Sequence, residues 1–378
     1  MNVLMGMLGQ SPIILSSSIH LPIGISFFTL QALTYLIDVY KARAPVQTNP
    51  LNVGLYISLF PQLLAGPIVR YQNFAGQIVH RFTTIESFAY GTRRFIIGLA
   101  KKVIIANTLA TASDGIFGIP SAQLTPSLAW FGILCYTLQI YYDFSSYSDM
   151  AIGLGYMFGF RFPENFNYPY IAGSITDFWC RWHITLATWF RDYVYIPCGG
   201  NRKGILRKYV NLILVFFLCG LWHGASWNFL VWGLMHGSIL IIERWTGLHD
   251  STNKRGMLQH IYVNFFHMIG LVVFRSESLA AALSFLSSMV GLYKGTGVEY
   301  HTGLYTNGPL VLVLLIALVG CTPLLPFVKD RLQQATGSIF GLRPVVEICT
   351  ISVLIMVFGA TLCVMAAQTN LPFIYFRF

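Results

Sequence analysis

An apolar run that ends at a histidine dominates this chain: Val210-Asn-Leu-Ile-Leu-Val-Phe-Phe-Leu-Cys-Gly-Leu-Trp-His223-Gly-Ala-Ser-Trp-Asn-Phe229. A second histidine also follows a tryptophan directly, in Asp177-Phe-Trp-Cys-Arg-Trp-His183. Ionisable groups are costly at membrane depth, so those that persist there are candidates for a functional site. Histidine is also the side chain best suited to exchange a proton near neutral pH. His183 and His223 are therefore our candidate catalytic residues.

The composition points to a membrane protein. The chain has 378 residues, of which 55% are hydrophobic and only 10% charged, whereas soluble domains carry about 25% charged residues. Apolar runs near the length of a bilayer span recur along it. We predict an all-α fold, a polytopic transmembrane helical bundle with about 8–11 membrane segments around a tunnel, in a single membrane-embedded domain (residues 1–378). The clearest runs are Ser127–Ile140, Val210–Leu221, Phe229–Ile242, Leu310–Leu325 and Val345–Ala367.

The positive charge has a membrane explanation. The formal net charge is +10, and the basic residues cluster in short connections. Lysine and arginine in short loops indicate the cytoplasmic side of a membrane protein. We therefore expect the lipid bilayer as a partner and no nucleic acid. These clusters are Lys41/Arg43, Arg93/Arg94/Lys101/Lys102, Arg202/Lys203/Arg207/Lys208, Lys254/Arg255 and Lys329/Arg331.

Metal and cofactor sites leave no signature in the sequence. The seven cysteines are scattered, mostly within apolar runs, and no CxxC or CxxxH pair gives metal-ligand spacing. A phosphate-binding glycine loop is also absent from the sequence. We expect no metal and no bound cofactor.

The segment 175–195 has helical periodicity but is too polar to span a membrane. On a single helix, Asp177 and Arg181 would pair at i,i+4 on a polar stripe. His183 would point away from that stripe, toward the tryptophan side. The sequence therefore predicts one amphipathic helix, with His183 partly desolvated, its pKa lowered and its imidazole neutral.

His223 has a different local setting. Gly220 and Gly224 bracket Trp222 and His223, and glycines predict a helix break there. Broken backbone at membrane depth is tolerated where it faces protein or water, so we expect a polar cavity or tunnel at His223. Downstream, polar side chains recur on one helical face, which should turn toward the bundle interior: Asn228, Trp232, His236 and Glu243.

Each candidate also has a structural interpretation. His223, His183 and His236 would be interhelical hydrogen-bonding residues, His236 through Asn228 or Glu243. Asp143 and Asp149 fit caps or ion-pair partners better than catalysts. Six further histidines are interpreted as structural or loop residues: His20, His80, His249, His260, His267 and His301. At the level of the whole protein, one alternative is a transporter in which the buried histidines and aspartates form a proton relay.

In several sequence motifs the chain resembles the membrane-bound O-acyltransferases, and within them the alginate O-acetyltransferase branch. The resemblance extends from about residue 21 to 378. It is carried by the two tryptophan–histidine motifs and by four further strings: Leu21-Pro-Ile-Gly-Ile-Ser-Phe-Phe-Thr-Leu-Gln-Ala32, Phe60-Pro-Gln-Leu-Leu-Ala-Gly-Pro-Ile-Val-Arg70, Tyr142-Asp-Phe-Ser-Ser-Tyr-Ser-Asp149 and Pro372-Phe-Ile-Tyr-Phe-Arg-Phe378.

The resemblance implies a helical bundle around a tunnel, with acyl transfer to a hydroxyl. His223 would be the catalytic histidine and His183 its second polar partner. The donor would be acetyl-CoA, and the protein would lie in the bacterial inner membrane with periplasmic acetyltransferases as partners. A further alternative is a non-catalytic scaffold that only docks such an acetyltransferase. Family members usually carry several apolar helices before the Leu21 motif, so we expect this chain to lack them. Our substrate- or tunnel-lining candidates are Trp222, Asn228, His236, Asp177, Arg181 and Asp143.

Overall fold

The fold is helical throughout the residues described by the computed structural model, which are 24–249, 256–293, 295–337 and 342–367. No strand occurs within these ranges. This confirms the predicted all-α class. The expectation about helices before the Leu21 motif, and the string Pro372–Phe378, lie outside the described residues.

The described residues form sixteen helices, numbered here in chain order. The first six are α1 (Ile25–Tyr40), α2 (Pro50–Ser58), α3 (Phe60–Leu63), α4 (Tyr71–Val79), α5 (Ile85–Phe117, with a π-helical turn at Lys101–Ala106) and α6 (Pro126–Met157). The others are α7 (Ile175–Arg181), α8 (Ile184–Phe190), α9 (Gly204–His223), α10 (Trp227–Thr246), α11 (Met257–Arg275), α12 (Leu279–Met289), α13 (Thr302–Tyr305), α14 (Gly308–Gly320), α15 (Leu324–Gly337) and α16 (Leu342–Ala367).

Fewer helices than expected are both long and apolar enough to cross a membrane. In the described part of the chain there are four, and a fifth if the pair Gly308–Gly320 and Leu324–Arg331, bent by 69°, forms one span. The four are Ile85–Phe117, Gly204–His223, Met257–Arg275 and Pro344–Ala367. Among the remaining apolar runs, α1 and α12 are too short. Helices α6 and α10 are long enough, but their buried polar side chains reduce their hydropathy.

The predicted single helix over 175–195 is wrong. Helix α7 ends at Arg181, and α8 begins at Ile184. Between them His183 adopts a left-handed backbone conformation with φ 45°. A neighbouring loop supplies the hydrogen bonds that end the helix: Ile184 N donates to the Asn165 carbonyl at 2.9 Å, and Asn167 N donates to the Arg181 carbonyl at 2.9 Å. Because these partners are distant in sequence, local periodicity could not reveal the break.

The break at His223 is confirmed. Helix α9 ends at His223, Gly224 is extended, and α10 begins at Trp227. Gly220 has another role, which is to let α10 cross α9 closely. A Cβ atom on Gly220 would lie less than 3.0 Å from the Phe229 carbonyl oxygen, and one on Gly233 would lie less than 3.0 Å from the Phe216 carbonyl oxygen. This crossing directs the end of α9 into the bundle.

Candidate active site

Three histidines line one small cavity. His183, His223 and His267 line a space of about 40 Å³. A cavity needs about 10–15 Å³ to hold one water molecule, so this one admits a few waters or a small acyl group. We call it the histidine cavity. Its other walls are Ile140, Phe144, Trp179, Trp182, Leu186, Trp232, Leu271 and Phe274. The cavity expected at His223 is present, with walls more aromatic than polar.

His183 is held at the junction of α7 and α8. Its side chain is only 2% exposed. The ring packs edge-on against Phe144 at a centroid distance of 4.6 Å and stacks on Phe27 at 6.3 Å. The left-handed backbone at His183 and these aromatic contacts leave the ring little freedom. His183 lies beside Trp179 and Trp182 in the cavity wall, so the predicted position of His183 among tryptophans is confirmed. A helix break, and not one continuous helix, brings it there.

A buried asparagine determines the tautomer of His183. Asn165 Oδ1 lies 3.1 Å from His183 Nδ1 and also accepts hydrogen bonds from Thr185 N at 3.2 Å and Thr185 Oγ1 at 2.9 Å. Because the backbone N–H of Thr185 can only donate, this Asn165 atom is the oxygen, and His183 Nδ1 carries a proton that it donates. The Asn165 amide nitrogen donates to Ser148 Oγ at 3.1 Å. The Nε2 atom of His183 is then a lone-pair acceptor.

The electrostatic environment keeps His183 neutral. Burial lowers the pKa of His183 well below its usual value, and the proximity of His223 lowers it further. His183 Nε2 is buried and has no hydrogen-bond partner among the described residues. A neutral imidazole with a free lone pair suits it to accept a proton or a hydrogen bond from a group in the histidine cavity.

His223 ends α9 and is partly exposed. Its ring contacts Trp222, Phe274 and Trp232 edge-on, at centroid distances of 4.8, 5.0 and 5.1 Å. The Trp222 indole donates to the Ser26 carbonyl at 3.2 Å, which ties the end of α9 to α1. The pair of motifs separated in the sequence thus meets at one site.

The remaining candidates lie around the cavity rather than in its walls. Asn228, His236 and Glu243 are buried, which confirms the inward-facing side of α10. Asn228 donates to the Ser276 carbonyl. Glu243 accepts from Thr176 N at 2.9 Å and Thr176 Oγ1 at 2.7 Å, at the start of α7. The predicted hydrogen bond from His236 to Asn228 or Glu243 is wrong, because neither ring nitrogen of His236 has a partner among the described residues.

The charged candidates form ion pairs. Arg181 donates to Asp177 at 2.8 Å, as predicted from their i,i+4 spacing. Asp143 pairs with Lys102 inside the bundle. Asp149 pairs with Lys101 at 2.8 Å and with Arg94 at 2.9 Å. The ion-pair interpretation of both aspartates is therefore confirmed.

The sequence interpretation missed Asn165 and His267. Asn165 lies in a loop, and nothing in its local sequence signals its contact with His183. His267 could have been found, because His260, Asn264 and His267 follow helical spacing within an otherwise apolar run. Such a polar stripe on a spanning helix indicates a side that faces the bundle interior.

Two larger cavities lie beside this site, and His183 lines only the second. One, of about 590 Å³, has Arg94, Lys101, Tyr141 and Asn165 among its walls. We call the other, of about 380 Å³, the Arg244 cavity; it is lined by Trp179, Cys180, His183, Leu186, Arg191 and Arg244 among others. Trp179, His183 and Leu186 also line the histidine cavity, so these two spaces are separated only by shared side chains. In the described residues, no group of three or more His, Cys, Asp or Glu side chains is arranged to hold a metal ion.

A family model for membrane-bound O-acyltransferases matches residues 3–284. The chain belongs to this family. It is 39% identical over 388 aligned positions to "Probable alginate O-acetylase AlgI" of Pseudomonas putida, covering 100% of this chain and 79% of that protein. It is 42% identical to "Peptidoglycan O-acetyltransferase" of Helicobacter pylori, over 72% of this chain and 57% of the relative. "Teichoic acid D-alanyltransferase" of Bacillus subtilis is 31% identical over 68% of this chain and 69% of its own length. The chain is a membrane-bound O-acyltransferase.

Proposed function

We propose that this O-acyltransferase transfers an acetyl group from acetyl-CoA at the cytoplasmic side of the bacterial inner membrane toward the hydroxyl groups of alginate. A periplasmic acetyltransferase would complete the modification. The observation that carries the proposal is the meeting of His183 and His223 in the walls of one small cavity. The relative from Pseudomonas putida supports the choice of polymer.

The two histidines suit a divided role in acyl transfer. His223 would act as general base on the attacking hydroxyl, a role that contributes typically about 10²–10⁴-fold to the rate. His183 is neutral, and its Nε2 lone pair can accept a hydrogen bond from the hydroxyl or from protonated His223. Asn165 would keep that lone pair directed by holding the opposite ring nitrogen. The small apolar cavity would exclude bulk water and so protect the thioester from hydrolysis.

The Arg244 cavity suits the donor. Arg191 and Arg244 line it, and Nη1 of Arg244 is buried without a hydrogen-bond partner among the described residues. An unpaired guanidinium N–H is a natural ligand for a phosphate of acetyl-CoA. Helices α9 and α10 are joined by three residues, so Arg244 near the end of α10 lies toward the basic start of α9. The positive-inside rule assigns that side to the cytoplasm.

The proposal is tested by ester-linked acetate on the secreted polysaccharide of a deletion strain. The strain is complemented with this chain, either wild-type or His223→Ala, at matched membrane levels. We expect the wild-type chain to restore ester-linked acetate and His223→Ala to give at least about tenfold less of it. General-base catalysis typically contributes about 10²–10⁴-fold to a rate. Equal acetate from both chains would favour the scaffold alternative. Flux without consumption of an acyl donor would favour a transporter.

A further inference from the structure

Two histidines on neighbouring helices are buried without hydrogen bonds. His267 on α11 is 4% exposed, and His236 on α10 is 0% exposed. Neither ring nitrogen of either residue has a partner among the described residues. An unsatisfied buried polar group costs about 1–3 kcal/mol, so these four nitrogens need a reason to be present.

Packing alone does not require histidine at position 267. The ring lies against Phe178, Tyr170 and Trp182 at centroid distances of 4.3, 5.7 and 5.8 Å. A phenylalanine would fill the same aromatic cluster without burying two polar nitrogens. What histidine adds is a hydrogen-bonding atom on a ring that its neighbours hold in place.

His267 and His236 differ in their position relative to the histidine cavity. His267 lines the cavity together with His183 and His223. His236 packs behind it, against Trp232 at 5.1 Å and Trp179 at 5.2 Å, and is not one of its lining residues. The two side chains therefore share burial and unmet hydrogen-bonding capacity, but only His267 can touch a group in the cavity.

Acyl transfer is accelerated by a hydrogen-bond donor beside the acyl carbonyl oxygen. When a hydroxyl attacks a thioester, a C–O bond forms and the carbonyl oxygen becomes negatively charged. The C–S bond then breaks, and the hydroxyl proton passes through His223 to the leaving sulfur. Donors aimed at the carbonyl oxygen lower the barrier, and removing one costs about 10²–10³-fold in rate. The His183 proton is already bound to Asn165, so His183 cannot supply this donor.

We propose that His267 donates a hydrogen bond to the carbonyl oxygen of the acyl group in the histidine cavity and stabilises its negative charge during transfer. A neutral imidazole carries one N–H, and that of His267 is not engaged with any described residue. This makes His267 a catalytic residue that the sequence motifs do not mark. The inference rests on the proposed acyl transfer.

The experiment compares His267→Phe, His267→Asn and His267→Gln with His236→Phe as the matched control. Asparagine and glutamine place a donor near the positions of Nδ1 and Nε2, respectively. His236→Phe removes an equally buried, equally unpartnered histidine that does not line the cavity. The readouts are the initial rate of ester-linked acetate formation per amount of membrane protein, in the complemented deletion strain, and thermal unfolding of each purified variant.

We expect His267→Phe to lower the rate about 100-fold without lowering the unfolding temperature, and His236→Phe to stay within about threefold of wild-type. The initial rate of either His267→Asn or His267→Gln should be about tenfold higher than that of His267→Phe. A rate for His267→Phe within about threefold of wild-type, or an equal loss in His236→Phe, would overturn the proposal. Because rates are taken relative to wild-type, this result is distinct from that of His223→Ala, which tests the proposed function.

Discussion

Asn165 Oδ1 and His183 Nδ1 lie 3.1 Å apart in a buried network, and this contact determines which nitrogen of His183 keeps its lone pair. Oxygen is the only assignment of the asparagine atom that also satisfies Thr185. The arrangement has the logic of a base oriented by a second polar group, with an amide in place of a carboxylate. A neutral partner leaves the imidazole without a compensating negative charge, consistent with the lowered pKa of His183.

Asn165→Leu should therefore impair activity strongly. The substitution leaves the His183 Nδ1 proton and the Thr185 hydroxyl without their buried acceptor, and we expect transfer to fall about 10–100-fold, corresponding to about 1–3 kcal/mol. Asn165→Asp keeps an acceptor in the same position and should retain more activity. It should also raise the pKa of His183, so its pH–rate profile should move to higher pH. Identical rates and profiles for the two variants would contradict an orienting role.

Stability should depend on pH through His183. Its pKa in the folded protein is below the unfolded value of about 6.5, so below that pH the unfolded chain binds a proton that the folded chain does not. The contribution of His183 to the free energy of unfolding is complete above about pH 6.5 and decreases as the pH falls, by up to about 1.4 kcal/mol per pH unit. Thermal unfolding in detergent between about pH 8 and pH 5 should show a shallower decline for His183→Gln than for wild-type. Parallel curves would show that His183 is not buried as a neutral residue.

The crossing of α9 and α10 should not tolerate a methyl group. In Gly233→Ala the new Cβ atom would lie less than 3.0 Å from the Phe216 carbonyl oxygen, so the helices would have to separate. We expect a loss of about 1–3 kcal/mol and lower amounts of protein in the membrane. Gly54→Ala in α2 is the control, because no heavy atom lies within 4 Å of the position that its new methyl group would take. That variant should be neutral or stabilised by about 1 kcal/mol. Equal unfolding temperatures for the two variants would contradict the tight crossing.

Sequence patterns predicted the membrane bundle and marked His183 and His223 as candidates one by one, because both predictions depend on local chemistry. The expectation that the two histidines act together came from the resemblance to the family. Hydropathy indicates spans, and ionisable groups at membrane depth indicate sites. Periodicity failed where distant residues decide the backbone. The break before His183 depends on hydrogen bonds with residues 165 and 167, and no helical pattern contains that information. For the same reason, the sequence did not predict the contact of Asn165 with His183. Gly220 was predicted to mark the break, yet its lack of a side chain is required by a neighbouring helix.

The donor interpretation of the Arg244 cavity leads to a binding prediction. Nη1 of Arg244 is buried and unpartnered among the described residues, so a phosphate would satisfy it. Charge-assisted hydrogen bonds contribute about 1.5–3 kcal/mol, and Arg244→Ala should therefore weaken acetyl-CoA binding by about 10–100-fold. Acetyl-pantetheine, which carries the same thioester without phosphates, should bind wild-type and Arg244→Ala equally.

Calorimetry on the purified protein in nanodiscs measures both ligands. Lys208→Ala is the matched control, because Lys208 belongs to the basic cluster at the start of α9 but not to the walls of the Arg244 cavity. It removes one positive charge from the same end of the bundle. We expect its effect on acetyl-CoA binding to stay within about threefold and to vanish at high salt, because Lys208 is partly exposed and salt screens a charge that solvent can reach. If Lys208→Ala and Arg244→Ala weaken binding equally, general attraction by the basic loops accounts for the affinity. If acetyl-pantetheine also loses affinity in Arg244→Ala, the arginine contacts the pantetheine arm rather than a phosphate.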